Sequence, residues 1–393
     1  MRSFAAFTLS ILSLFLFTGC WDKAELTEFG YVQAVAIDQN EEGKIEFTSH
    51  LYKPARGGEG GGPAGKSGGG DSAFSIKTKG DTVFEADRDV NTQLGRKTKW
   101  DHMRVILIGE ELARKRKVGE VLDMFSRNHE PRATVSVLIA KGKASDILNI
   151  KPYIEHTIGQ QLRKMEENSA RFTAKTSLTR LHDLAIQLKS ETGVAVVPYI
   201  NSNNSPKKIS VEGIAVLKKG KVAGSILTPT ISEQLLMLTN KYKSGIIEFP
   251  CTGATEEKMK TKESLEIMLL NTKLTPTVKK NEITVRVMTK IKGAVGELRC
   301  STLKTEEDEK RFEENIEKSV ERNLRKAISV FQKRKVDVLG IGDKLYKKNP
   351  GLWKQLKPDW NERFAEIRFE VHADVKVLNS GMNVGTPFSK GGE

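Results

Sequence analysis

The segment from about Glu306 to Lys333 restricts the possible folds of this chain more than any other feature of the sequence. Its residues are mostly charged, but apolar residues recur among them at regular intervals, as an apolar stripe. The apolar residues recur every three or four positions, which places them on one face of an α-helix. Acidic residues crowd the start of the segment and basic residues its end, as the helix dipole favours. The stripe consists of Phe312, Ile316, Val320, Leu324, Ala327 and Phe331. The sequence therefore predicts one long amphipathic helix that has to bury this stripe.

The stripe could be buried either in a protein core or on a membrane surface. A helix that lies on a membrane also has one apolar and one charged face. However, residues 365–378 are rich in β-branched residues and predict a strand on which the helix could pack. We therefore favour burial of the helix in the core of its own domain.

The remainder of the chain alternates between short apolar runs, typical of strands, and helical periodicity. This pattern predicts a mixed α/β (α+β) fold with three domains, each a mixed sheet packed with helices. We place an N-terminal domain at residues 20–200, a small middle domain at 205–255, and a C-terminal domain at 256–393 with the long helix at 306–334. A glycine-rich loop interrupts the first domain at residues 57–70.

The first residues, Met1 to Asp22, predict export from the cell. Arg2 is followed by an uncharged apolar run that ends at Phe17-Thr18-Gly19-Cys20, as in a secretory signal peptide. At about 1.5 Å per residue this run spans roughly 21 Å, less than the roughly 30 Å hydrocarbon core of a bilayer, so a permanent membrane span is disfavoured. The final four residues resemble the lipobox of bacterial lipoproteins. We predict cleavage between Gly19 and Cys20 and lipid attachment at Cys20, the alternative being an ordinary signal peptide followed by a chance cysteine.

The net charge of +14 narrows the classes of partner. A basic surface of this kind suits anionic lipid headgroups or an acidic polymer. An exported protein rarely meets nucleic acid, and no stretch alternates basic with aromatic residues, so we exclude a nucleic-acid partner.

Two cysteines besides Cys20 remain, Cys251 and Cys300. On the oxidising side of a membrane an even number of cysteines allows a disulfide. Isolated thiols are also often small buried hydrophobic residues. The sequence leaves both alternatives open, and Cys251 and Cys300 are therefore a candidate disulfide.

Several short stretches match catalytic or binding motifs by chance, but they lack the flanking elements or the key residues that these motifs require. A phosphate-loop pattern at residues 60–67 has neither the preceding strand nor the following helix that such a site requires. The run Asp87 to Asn91 imitates a calcium loop but has Thr92 at the glycine position and Thr98 at the glutamate position. The six histidines never fall at the spacing of a metal pair. We therefore predict no catalytic, cofactor-binding or metal-binding residues, and no enzymatic activity.

Three blocks of sequence, in order, resemble the Ger(x)C family, the lipoprotein C subunits of bacterial spore germinant receptors. The first is Gly19-Cys20-Trp21-Asp22 with a strand ending at Ile37-Asp38, and the second is Asp101 to Arg114. The third and most specific is Val336-Asp337-Val338-Leu339-Gly340-Ile341-Gly342-Asp343, followed by Pro350-Gly351-Leu352-Trp353 and Trp360. The glycine-rich loop at 57–70 departs from the family pattern.

The resemblance implies a fold of three α/β domains and a function in nutrient-triggered spore germination. It implies a lipid-anchored subunit on the outer face of the spore inner membrane, beside two integral membrane subunits of the A and B types. No catalytic residue is transferred by the resemblance, so the implied role is that of a non-catalytic scaffold or coupling subunit. The alternative is a solute-binding lipoprotein of a transport system, which would require two similar lobes around a cleft.

Overall fold

A computed structural model of the chain describes residues 25–53, 72–202, 208–251, 261–280, 282–379 and 385–387. Gly19, Cys20 and the glycine-rich loop at 57–70 lie outside the described residues. The described residues form two β-sheets with helices packed on them, which confirms the predicted mixed α/β class.

The first sheet contains nine strands within the described part of the chain. Its centre is parallel, with β1 beside β5, β5 beside β6 and β6 beside β7, whereas the pairs at both ends are antiparallel. The order is β3-β2-β1-β5-β6-β7-β8-β9, and β4 pairs with β1. The strands are β1 (Phe29–Gln39), β2 (Ile45–Tyr52), β3 (Ala73–Gly80), β4 (Lys97–Lys99), β5 (Val105–Gly109), β6 (Ser136–Ala140), β7 (Val194–Ser202), β8 (Ile209–Lys218) and β9 (Lys221–Val222).

Helices cover both faces of this sheet, which explains why the central strand β5 is apolar and buried along its whole length. In β5, Ile106 and Ile108 contribute to the core on one face, and Val105 and Leu107 to the core on the other. The helices of this region are α1 (Val83–Leu94), α2 (Glu110–Lys115), α3 (Val118–Arg127), α4 (Ala144–Leu148), α5 (Ile158–Asn168) and α6 (Leu181–Leu188).

A buried ion pair lies between α5 and the start of α6. Glu166 is fully buried, and its Oε2 lies 2.9 Å from a guanidinium nitrogen of Arg180. The same guanidinium contacts Glu167 at 2.8 Å, and the backbone N–H of Thr179 donates to Glu166 at 3.0 Å. Burial raises the pKa of Glu166, while the charge of Arg180 opposes that rise. The charge of Glu166 therefore depends on Arg180 for its compensation, whereas Arg180 is compensated by both glutamates.

The predicted middle domain at 205–255 does not have a sheet of its own among the described residues. β8 and β9 extend the first sheet, because β8 pairs antiparallel with β7. β7 continues to Ser202, beyond the end predicted for the N-terminal domain at residue 200. The strand at Gly245–Pro250 belongs to the second sheet, and α7 (Pro229–Leu238) packs on β8 and on the second sheet. The sheets thus divide the chain differently from the predicted boundaries.

The second sheet has four strands among the described residues, in the order β10-β11-β12-β13. These are β10 (Gly245–Pro250), β11 (Lys262–Lys279), β12 (Glu282–Glu297) and β13 (Arg368–Asn379). β11 and β12 form a long antiparallel pair, and β13 runs parallel to β12 at the edge. Four helices follow β12 in sequence: α8 (Glu306–Lys333), α9 (Ile341–Lys348), α10 (Pro350–Leu356) and α11 (Trp360–Glu366).

The predicted long helix is confirmed as α8, and all six residues of its apolar stripe are buried. Thr305 and Asp308 form a capping box at its first turn, in which each side chain accepts a hydrogen bond from the backbone of the other residue. The helix packs on β13, as predicted, so its apolar face belongs to the core of the second sheet.

One row of α8 also forms hydrogen bonds with the free edge of β13. Every fourth helical residue advances about 6.0 Å, close to the roughly 6.6 Å covered by two residues of a strand, so the two rows stay in register. Three glutamates accept N–H groups of the strand, and an arginine donates to a carbonyl group. The pairs are Glu313 with Val377 (2.8 Å), Glu317 with Val375 (3.0 Å), Glu321 with Ala373 (3.1 Å), and Arg325 with Val371 (2.6 Å). We call this row the edge ladder.

Candidate functional site

The segment that follows α8 is organised around a buried aspartate, Asp337. The backbone N–H groups of Ile341 and Gly342 donate to its carboxylate at 3.0 and 2.8 Å, so Asp337 caps the N-terminus of α9. The indole Nε1 of Trp360 donates to the same carboxylate at 3.1 Å. Burial raises the pKa of Asp337 to about 6, although these three hydrogen bonds favour the ionised form. The carboxylate thereby joins α9 to α11.

Two tryptophans extend this arrangement toward the first sheet. Trp353 packs edge to face on Trp360, with ring centroids 4.9 Å apart. Its Nε1 donates to the carboxylate of Glu191 at 2.8 Å, and Glu191 also accepts from Lys357 at 2.9 Å. Hydrogen bonds from Lys357 and Trp353 lower the pKa of Glu191. Glu191 precedes β7, so this contact links the two sheets.

Asp343 makes a second link at the same place. Its carboxylate accepts the backbone N–H of Glu191 at 2.8 Å and the hydroxyl of Thr192 at 3.1 Å. We name this set the helical junction, and its members are Glu191, Thr192, Asp337, Asp343, Trp353 and Trp360. Four of these six lie in the third sequence block, whereas Glu191 and Thr192 lie in none of the blocks.

Gly342 fits the helical junction because it has no side chain. An added Cβ would lie 2.6 Å from the Trp353 ring and 2.8 Å from Thr192 Cγ2. We expect Gly342→Ala to lower the free energy of unfolding by about 1–3 kcal/mol, because the indole has to move. Urea denaturation measures this change.

Gly119→Ala in α3 is the matched control, since its added Cβ would make one ordinary contact, with Leu188 at 3.7 Å. In a helix that change should leave stability unaltered or raise it slightly. Equal losses for the two variants would contradict the steric explanation.

The first two sequence blocks meet at a second buried aspartate. Ile37 of β1 pairs with Ile108 of β5, so Asp38 and Gly109 lie side by side. Asp38 accepts the backbone N–H groups of Ala144 and Ser145, at 2.7 and 2.9 Å. A Cβ at position 109 would lie 2.3 Å from an Asp38 oxygen, so glycine leaves room for the carboxylate. Burial raises the pKa of Asp38, and the two backbone hydrogen bonds oppose this rise. These backbone contacts indicate that Asp38 has a role in holding the fold.

The structure brings the candidate disulfide pair together. The Cα atoms of Cys251 and Cys300 are 6.1 Å apart and their sulfur atoms are in contact, within the span that a disulfide bridges. The buried carboxylate of Glu263 lies beside them and could add a third metal ligand, since the three ligand atoms lie within 4.8 Å of one another. However, Glu263 already accepts three backbone N–H groups and the Ser301 hydroxyl. We therefore propose a disulfide at this position.

Alkylation tests this bridge directly. In denatured protein that has not been reduced, we expect iodoacetamide to leave Cys251 and Cys300 unmodified, because a disulfide sulfur is not a nucleophilic thiolate. After reduction both peptides should gain the alkyl group by mass spectrometry. Cys300→Ser is the control, since it leaves Cys251 free to react without reduction. Modification of both cysteines before reduction would show that they are thiols.

The predicted anchor residues, Gly19 and Cys20, lie outside the described residues, so lipid attachment and cleavage stay predictions. Within the described part of the chain, no helix combines the length and apolar character needed to cross a bilayer.

Comparison with known proteins agrees with the three sequence blocks. A family model described as "Spore germination protein N-terminal domain" matches residues 22–202, and one described as "Spore germination B3/ GerAC like, C-terminal" matches residues 212–381. The chain belongs to the Ger(x)C family. The first Ger(x)C model ends near the end of β7, and the second begins within β8, so their limit falls inside the first sheet.

Relatives and a solved structure cover nearly the whole Ger(x)C chain. Spore germination protein KC of Bacillus subtilis (strain 168) is 26% identical over 95% of this chain and 95% of its own length. Spore germination protein B3 of the same organism is 23% identical, covering 97% of this chain and 99% of its own. A crystal structure of the GerBC protein aligns with a TM-score of 0.55 at 20% identity, over 88% of this chain and 97% of that chain. The last match shows a shared fold, and none of these findings supports the transport alternative.

Proposed function

We propose that this chain is the lipid-anchored, extracytoplasmic subunit of a spore germinant receptor, required for nutrient-triggered germination. The observation that carries the proposal is the end-to-end similarity to proteins named for spore germination, including KC and B3. Because both family models match in order along one chain, the similarity concerns the whole molecule rather than a shared module.

The family resemblance and the lipobox-like sequence at residues 17–20 support its place in the receptor. Cys20 would be lipidated and would hold the chain on the outer face of the spore inner membrane, beside two integral membrane subunits of the A and B types. The net charge of +14 favours a surface of anionic headgroups. Confinement to a thin layer raises the effective concentration of the partners, so interfaces of modest affinity suffice.

The helical junction supports a scaffold or coupling role without catalysis. Trp353 and Asp343 attach the helices of the second sheet to the Glu191 loop before β7. A displacement of one sheet would therefore be passed to the other through a small set of hydrogen bonds, because packed elements transmit strain. We assign the germinant-binding step mainly to the membrane subunits.

Extraction of the protein from dormant-spore membranes in mild detergent tests this function. We expect two polytopic membrane proteins to co-purify with the unaltered chain and to be lost or reduced with Cys20→Ala. Ser10→Ala, a change in the same apolar run that leaves Cys20 in place, should behave like the unaltered chain. Recovery of transporter components, or of no partner despite confirmed membrane anchorage, would overturn the proposal.

A further inference from the structure

A groove between α1 and α3 has features that the proposed function does not use. Its volume is about 790 Å³, and its floor includes Trp100 and β4. Val83 of α1 and Met124 of α3 supply apolar surface, and the ring of Phe84 is half exposed beside them. A pocket of this size and lining fits a small organic molecule.

A buried carboxylate faces this groove from α1. Asp87 is only 6% exposed, and its Oδ1 has no hydrogen-bond partner among the described residues. Buried polar atoms are nearly always hydrogen-bonded, and an unsatisfied charged group is costly. Burial raises the pKa of Asp87 to about 6, and nearby Glu130 contributes to that rise. Asp87 thus lines the groove with a carboxylate whose Oδ1, shielded from solvent, lacks a hydrogen-bond partner among the described residues.

The charges around Asp87 select the kind of occupant. Arg88 follows Asp87 in the sequence, and its guanidinium lies over the ring of Phe84, 4.9 Å from the ring centroid. Arg127 is paired with Asp123 at 2.6 Å. Two other lining carboxylates, Glu120 and Glu130, are paired with Lys117 at 3.3 Å and Lys99 at 3.8 Å, so Asp87 is the lining carboxylate without an ion pair among the described residues. A calcium ion prefers six to eight oxygen ligands. Asp87 and the nearby Glu130 provide fewer oxygen atoms than that.

We propose that this groove binds a small organic amine, with the ammonium group hydrogen-bonded to Asp87 and the apolar body against Val83 and Met124. An ammonium has three donors and no acceptor, which suits an acceptor-only carboxylate. The site lies between α1 and α3, away from the helical junction, and all its lining residues belong to this chain. The inference therefore does not depend on the proposed germination role.

Titration of the purified full-length chain in detergent with phenethylamine tests the proposal. Calorimetry measures the affinity, and the indole N–H signal of Trp100 in a nitrogen-15 spectrum reports the location. We expect saturable binding of the amine with a shift of the Trp100 signal. 2-Phenylethanol, which has a similar shape and no charge, should bind at least tenfold more weakly.

Three variants test the ammonium contact and the position of the site. Asp87→Asn should weaken binding tenfold or more, while Asp123→Asn, at the rim of the same groove, should change it by less than twofold. Met124→Trp should block the groove with Asp87 intact, so it tests the same site if Asp87→Asn folds poorly. Equal affinity in Asp87→Asn, equal binding of the alcohol, or no binding at about 10 mM amine, where even a millimolar site would be filled, would overturn the proposal.

Discussion

Replacing Asp337 by alanine is expected to lower the free energy of unfolding by about 3–5 kcal/mol. The change removes the acceptor of three hydrogen bonds, from Ile341, Gly342 and Trp360. Each buried donor left without a partner costs about 1–3 kcal/mol, and two of the three donors are the first N–H groups of α9. Urea denaturation followed by tryptophan fluorescence and circular dichroism measures the loss.

Asp337→Asn is the matched control for this prediction. The amide oxygen can keep the two hydrogen bonds from Gly342 and Trp360, whereas the amide nitrogen faces the N–H of Ile341. We therefore expect a smaller loss of stability than with alanine. Equal losses for asparagine and alanine would show that the hydrogen bonds contribute little.

The difference in stability between the unaltered chain and Asp337→Asn should also depend on pH, and the sign of this dependence follows from the pKa of Asp337. The pKa of Asp337 is about 6 in the folded chain, above its ordinary value of 3.8, so the folded chain binds this proton more tightly than the unfolded chain. The resulting stabilisation is complete below about pH 4 and is lost as the pH rises through about 6. The stability advantage of the unaltered chain over Asp337→Asn should therefore shrink across this range. An advantage that grows with pH would contradict the assignment.

Arg180→Met is expected to cause a loss of similar size, about 3–5 kcal/mol, because it leaves the fully buried Glu166 without its charged partner. The double variant Glu166→Gln with Arg180→Met should lose less than Arg180→Met alone, since no buried charge remains. Urea denaturation of the single and double variants completes a double-mutant cycle.

Arg127→Met provides the control for a solvent-exposed pair. Arg127 and Asp123 lie 2.6 Å apart with both side chains exposed, and solvent screening leaves such pairs with little effect on stability. A loss at Arg180 no greater than the loss at Arg127 would show that burial does not determine the strength of this ion pair.

Elements whose signal is local were predictable from the sequence. The stripe and the charges of Glu306–Lys333 lie within one segment, and the structure has the helix with these bounds. The pattern of Val118–Arg127 likewise predicts the helix that the structure has there. By contrast, the sequence predicts a helix from Ile154 to Glu167, whereas the observed helix begins at Ile158, where Thr157 supplies the N-cap. Apolar periodicity there continued upstream of the cap, so it could not locate the start.

Pairing between distant segments was not predictable from the same patterns. The apolar run from Val211 to Lys218 predicts a strand, but nothing local indicates that this strand pairs with β7 rather than forming a separate domain. In the helical junction, resemblance identified Trp353 and Asp343. Their partner Glu191 lies about 160 residues earlier and has no signal of its own. Asp87 was noticed only as part of an incomplete calcium motif, because burial and the lack of a partner require three-dimensional neighbours.

The edge ladder has a consequence for how copies of this chain behave at high density. An open strand edge is a template on which further strands add, and aggregation often begins there. Glu313, Glu317 and Glu321 already occupy three of the N–H groups that β13 would offer to such a strand. Burial and nearby carboxylates raise the pKa of Glu317, so acidification would protonate this central residue early and weaken its hold on Val375. Crowded copies would thus remain separate near neutral pH and become prone to self-association through β13 in acid.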